Sequence, residues 1–230
     1  MPKTDYNKLR TKVLGIIEGL ALVNPDYNEL RRLLIFSENI HSGSRKDGTR
    51  EFSHQLEMVA FAITFHQQLD NPLAVYKAII AHDLIEDYPE VAIDLRVNFP
   101  SVEHDSRLLS KYQDSTNHEL PYTSYFEGLA NSPVCSIAKL IDRVHNLSTA
   151  PGVFSTEKLR SYCVETETYY FDLIRQCKEL YSNRGVYENL KFILTTQVNT
   201  IQKLLPPQQV GQPKPPTTTL ELDSCSALSI

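Results

Sequence analysis

His82-Asp83-Leu84-Ile85-Glu86-Asp87 closes an apolar, alanine-rich stretch that runs through Ala78-Ile79-Ile80-Ala81. An imidazole and three carboxylates in one short segment are costly to bury unless they bind a metal, pair or react. His54 upstream and Asp142 downstream, the latter in Lys139-Leu140-Ile141-Asp142-Arg143-Val144-His145-Asn146, also lie on segments of helical periodicity. His54, His82, Asp83 and Asp142 therefore form a candidate ligand set for one divalent metal. Imidazole plus carboxylate suits Zn, Mn, Fe or Ni. Such a set leaves room on the ion for water or substrate oxygens, as a catalytic centre requires. His82 and Asp83 are adjacent, so they share one ion only if the end of their helix lets both point inward.

Glu86 follows His82 by four residues, and Asp87 follows Asp83 by four, so each faces the same side one turn on. Carboxylates near a metal-activated water are placed to orient and deprotonate it, which makes Glu86 and Asp87 the candidate catalytic pair. Arg45 and Lys46 stand in a polar, glycine-containing stretch just before His54, and Ser44 and Asp47 flank them. Two cations beside an acidic metal site suit an anionic substrate, and an arginine plane can stack on a purine. Asn146 and Thr149 follow Asp142 by four and seven residues and share its helical stripe. Arg143 and His145 fall off that stripe, and Arg143 reads as a structural ion-pair former. His41, His66, His104 and His118 lack such context and read as core or surface residues.

Three blocks, in order between residues 41 and 150, carry a resemblance: Arg45-Lys46-x-Gly48 before His54, His82-Asp83-x-x-Glu86-Asp87, and Lys139-Leu140-x-Asp142-Arg143-x-His145-Asn146-x-x-Thr149. The pattern resembles the HD phosphohydrolases, and within them the hydrolase domain of RelA/SpoT-type alarmone enzymes and the stand-alone small alarmone hydrolases. The first forty residues are covered poorly and the tail not at all. The resemblance implies His54, His82, Asp83 and Asp142 as ligands of one manganese ion, with Glu86 and Asp87 as the catalytic acids. It implies that Arg45 and Lys46 pack around the base and its phosphate, and that Asn146 and Thr149 serve ribose or phosphate. The implied reaction is hydrolysis of the 3′-pyrophosphate of (p)ppGpp to GDP or GTP and pyrophosphate.

The loop departs from the family pattern. Gly48-Thr49-Arg50-Glu51-Phe52-Ser53-His54-Gln55 lacks the proline and tyrosine of Gly-x-Pro-Tyr-x-x-His-Pro and adds Arg50. Base preference is therefore left open. The alternatives are the same chemistry on (p)ppApp or on the 2′-phosphate of NADPH, and a non-catalytic nucleotide-sensing module. Nothing resembles a synthetase domain, and antagonism of a neighbouring alarmone-synthesising toxin would give a lone hydrolase a purpose.

The elements that must position these groups read as helices. The chain has 230 residues, 41% hydrophobic and 22% charged, which suits one sizeable core. Helical spacing extends over 5–23, from an Asp26 cap to Ile40, from a Ser53 cap to Leu69, from Pro72 to Asp87, and over short segments between Val91 and Ala130. It continues from Pro133 to before Pro151, from a Ser155 cap to Leu180, and over 186–205, with a turn at Asn183-Arg184-Gly185. The expectation is an all-α HD-domain bundle of about eight to ten helices over 1–205. A disordered Pro- and Thr-rich tail follows over 206–230. A net charge of −5 disfavours non-specific nucleic-acid binding. The four cysteines lack metal-site spacing and read as reduced thiols. No apolar run approaches the ~18 residues of a membrane span, and the first residues lack the apolar core of a signal peptide. A cytoplasmic location and no membrane partner are expected, with an apolar helix face that could support a homo-oligomer.

Overall fold

The computed structural model describes residues 5–46, 48–112 and 120–206. The expected tail beyond Pro206, together with Asp47 and His118, lies outside the described residues. Every regular element among those residues is helical, and an isolated β-bridge joins Ser44 and Arg50. The helices are α1 (Tyr6–Val23), α2 (Tyr27–Ile40), α3 (Ser53–Ile63), α4 (Pro72–Ala81), α5 (Leu84–Asp87), α6 (Ala92–Asn98), α7 (Pro100–Leu109), α8 (Tyr122–Ala130), α9 (Pro133–Thr149), α10 (Thr156–Glu165), α11 (Phe171–Leu180) and α12 (Arg184–Leu204). The all-α bundle is as expected.

The bundle is organised around α9. It packs against α3, α4, α7, α8, α11 and α12, and its residues from Cys135 to Val144 are all buried. A helix with neighbours on every side has no solvated face. Its polar residues Lys139, Asp142 and Arg143 must therefore find partners inside the protein. Ser132 caps it by accepting from the Cys135 amide, with Pro133 in the first turn.

Local chemistry moves several expected boundaries. Asp26 makes no side-chain cap, and its amide instead donates to Asn24 Oδ1. Ser53 lies inside α3, where its hydroxyl donates to the Arg50 carbonyl rather than capping the helix. Helix α3 ends at Ile63, followed by a 3₁₀ turn at His66–Gln68. Asn71 caps α4 by accepting from the Ala74 amide, and Ser155 caps α10 as expected by accepting from the Lys158 amide. The expected helix from Pro72 to Asp87 is broken at His82–Asp83. His82 Nδ1 takes the Ile79 carbonyl at 2.8 Å, the acceptor that the Asp83 amide would need to continue the helix.

Helices α10 and α11 run as one, as expected, but through a π-helical segment at Thr166–Tyr170. There the Thr166 hydroxyl donates back to the Tyr162 carbonyl at 2.6 Å, a local competition with the helix ladder. The consecutive Tyr169 and Tyr170 both pack on Phe126 of α8. Cys135, Cys163 and Cys177 are buried free thiols.

Candidate metal centre

Four elements bring the predicted ligands to one place. His54 sits in the first turn of α3, His82 just past the end of α4, Asp83 in the break before α5, and Asp142 in the middle of α9. One ligand atom each from His54, His82 and Asp142 lies within 4.8 Å of the others, and all three residues are buried. Asp83 stands outside that group of three but touches it, with its Oδ2 2.7 Å from His82 Nε2. The break in the helix makes this possible, because it turns the Asp83 carboxylate back toward the preceding ring.

The donor chemistry fits a cation. His82 donates Nδ1–H to the Ile79 carbonyl, which leaves a lone pair on Nε2. That nitrogen is buried and has no hydrogen-bond partner, although the Asp83 carboxylate is close. His54 Nε2 is 3.2 Å from Asp142 Oδ1, and burial pushes the His54 ring down to about 4, so it is neutral. Two imidazoles and a carboxylate converging on one buried point suit a divalent ion such as manganese or zinc. Without an ion, burial would lower the His82 pKa, but the Asp83 and Asp142 carboxylates outweigh it and lift it to about 8.

Asp142 is held from both sides. Lys139, three residues back on α9, puts its ammonium 3.2 Å from Asp142 Oδ2. Asn146, four residues on, donates to Oδ1 at 2.6 Å. Burial would raise the Asp142 pKa, but the Lys139 charge, His54 and His82 hold it well below the carboxylate range. Thus the structure places Asn146 on the Asp142 carboxylate. Thr149, further along the same stripe, donates its hydroxyl to the His145 carbonyl.

Of the acid pair, Glu86 accepts from the Lys111 amide at 3.0 Å. Asp87 is raised to about 6 by partial burial and by the charges of Asp83, Glu86 and Glu51. The cations form the second half of the site. Arg45, Lys46, Thr149, Ala150, Val153 and Phe154 line a cavity of about 250 Å³, and Lys46 Nζ lies 5.4 Å from the Phe154 ring centre. Val153 and Phe154 reach it through a turn closed by Val153 N–H to the Ala150 carbonyl, with Gly152 at φ +85°, where glycine is unstrained. Seven residues of α-helix separate Asp142 from Thr149, roughly 10 Å along the axis.

The loop is held by Glu51. Its Oε2 accepts from the Gly43 amide at 3.1 Å and from the Tyr88 hydroxyl at 3.0 Å, which ties the segment bearing Arg45 to the end of α5. A Cβ at Gly43 would stand 2.8 Å from that oxygen. Arg50, the additional cation, stacks on Tyr6 at 4.5 Å and does not line the cavity.

Sequence reading missed Lys139, His145, Glu57, Glu51 and Phe154. Lys139 was marked by its setting, a lysine among Ile137, Ala138, Leu140 and Ile141. His145 lies off the Asp142, Asn146 and Thr149 stripe, yet a three-residue spacing also makes neighbours on a helix. Arg143 behaves as read, paired with Glu165 at 2.6 Å and Tyr170 at 2.8 Å.

No family model matches this chain, and no curated protein matches it in sequence. No helix among the described residues is long and apolar enough to cross a membrane.

Proposed function

We propose that this chain is a metal-dependent hydrolase that removes the 3′-pyrophosphate from (p)ppGpp, yielding GDP or GTP and pyrophosphate. The reading draws on the three sequence blocks that resemble the small alarmone hydrolases. The observation that carries it is the cluster that His54 and His82 form with Asp142 of α9, and a cation-lined cavity at Thr149, about 10 Å further along that helix. That separation suits a nucleotide whose base end and scissile phosphate are recognised by different elements.

His54, His82 and Asp142 would hold the ion, with Asp83 beside His82 as the fourth predicted ligand. When bound, a divalent ion supplies a Lewis acid and a low-pKa water. Arg45 and Lys46 bind the negative charge and base plane of the substrate at the cavity, and Phe154 offers an apolar ring there. Asp87 accepts the proton of the attacking water, because like charges and partial burial keep its pKa near 6, in the range a general base needs. Glu86 is fixed by the Lys111 amide and orients that water. Water's oxygen bonds to the phosphorus attached to O3′, the P–O3′ bond breaks, the departing O3′ takes a proton from solvent water, and Asp87 returns the proton it accepted to solvent.

The test is incubation of the protein with Mn²⁺ and, separately, ppGpp, ppApp and NADPH, with products separated by anion exchange. GDP plus pyrophosphate is expected. ADP plus pyrophosphate alone would move the substrate to the adenine series. Release of phosphate from NADPH alone would replace pyrophosphate removal by phosphate removal. Metal binding with no product from any of the three would overturn the proposed hydrolysis.

A further inference from the structure

Two residues outside the ligand set form a line that ends on it. Glu57 Oε2 lies 2.7 Å from His145 Nε2, and His145 Nδ1 lies 2.9 Å from His54 Nδ1. The two rings meet edge to face, with centroids 4.5 Å apart and planes at 69°. His54 and Glu57 are three residues apart on α3, and Asp142 and His145 are three apart on α9. Each helix therefore contributes one predicted ligand and one member of this line, on the same face as neighbours.

The direction of the line follows from what each group can do. An ionised carboxylate only accepts hydrogen bonds, so the ring proton of His145 lies on Nε2, facing Glu57. A neutral His145 then has a lone pair at Nδ1. The contact between the two Nδ1 atoms needs one N–H and one lone pair, so His54 carries its proton on Nδ1. His54 Nε2 is left with its lone pair on the side of Asp142 Oδ1 and His82.

We propose that Glu57 and His145 are positioning residues that fix His54 in the Nδ1–H tautomer and so present Nε2 to a divalent cation. A ligand histidine ordinarily donates its second nitrogen straight to a carbonyl or carboxylate, as His82 does to Ile79. Here a second imidazole stands between the ligand and its carboxylate. The inference rests on the metal reading of the centre and is independent of which nucleotide is hydrolysed.

Glu57→Gln and His145→Gln separate this role from simple packing. Glutamine at 57 can donate as well as accept, so the line loses its direction while keeping its shape. Glutamine at 145 still offers an oxygen to His54 Nδ1–H, whereas His145→Phe does not. Mn²⁺ binding is measured by titration calorimetry, and the His54 tautomer by long-range ¹H–¹⁵N correlation on the metal-free, ¹⁵N-histidine-labelled protein. The expected result is an Nδ1–H tautomer in the wild type. Mn²⁺ affinity should fall roughly 10- to 100-fold in Glu57→Gln and His145→Phe, and by less than about threefold in His145→Gln, at unchanged melting temperature. An Nε2–H tautomer in the wild type, wild-type affinity in Glu57→Gln, or equal losses in both His145 variants would overturn the proposal. Wild-type protein that binds no Mn²⁺ would overturn the metal reading along with it. Mn²⁺ binding without nucleotide turnover would sink the hydrolase reading alone.

Discussion

The two ends of the site on α9 are built differently. At the His54, His82 and Asp142 cluster every group sits on or beside a packed helix and has a committed partner: Lys139 and Asn146 on Asp142, the Ile79 carbonyl on His82, His145 on His54. At the cavity end the cations sit in a loop held by a few backbone bonds and by Glu51, with the far wall formed by the turn after α9. Chemistry needs ligand atoms fixed to a fraction of an ångström, which a packed core supplies. Recognition tolerates more movement, and loops can change it without disturbing the core. Substrate choice and metal binding should therefore be separable by mutation.

The largest effect is expected from Asp142→Ala. It removes a proposed ligand and leaves the Lys139 ammonium buried without its counter-charge, a defect that costs about 3–5 kcal/mol. Calorimetry should show Mn²⁺ binding lost, and thermal melts should show a markedly less stable protein. Arg45→Ala should do the reverse, weakening nucleotide binding about tenfold, or about 1.4 kcal/mol, with melting temperature and Mn²⁺ affinity unchanged. If Arg45→Ala also weakened Mn²⁺, the two ends would not be independent. Gly43→Ala probes the tie between them. The added Cβ must displace the Glu51 carboxylate, so KM should rise several-fold while Mn²⁺ affinity holds.

The smallest effect concerns Asp87 in the metal-free protein. Its folded pKa is about 6 against an ordinary 3.8, so between about pH 4 and 6 the folded state keeps a proton that the unfolded chain has lost. The contribution of this carboxyl to stability therefore falls as pH rises through that window. Asp87→Asn should raise the melting temperature more at pH 7.5 than at pH 4.5, a stability difference of less than about 1 kcal/mol because the group is only partly buried and is screened by solvent. A larger gain at pH 4.5 would mean that the carboxylate is stabilised, not crowded. In the same variant turnover should drop while Mn²⁺ binding persists.

Much of the His/Asp cluster was legible in the sequence. Ionisable residues at helical spacing inside apolar runs announce that they are buried together, and three of the four predicted ligands do meet. The helix ends were less legible. Asp26 and Ser53 have the side chains of caps, yet backbone and loop contacts claim those roles, as the bond from Ser53 to the Arg50 carbonyl illustrates. The cavity was only half legible, because Phe154 and Val153 carry no motif and arrive there by a turn at Gly152.

By itself the sequence determined the helical periodicity, the order of the chemical blocks, and the presence of groups too polar to bury unpartnered. These follow from local spacing and from the cost of desolvation, which need no knowledge of the fold. Tertiary structure alone decided which partner each of them takes. It set Glu57 and His145 behind His54, put Asn146 on Asp142, interrupted the helix so that Asp83 turns toward His82, and sent Arg50 to Tyr6 and away from the cavity. The pairings of His54 with His145, of His145 with Glu57 and of Arg50 with Tyr6 join residues far apart in the chain, and only the packing of the helices brings them into contact.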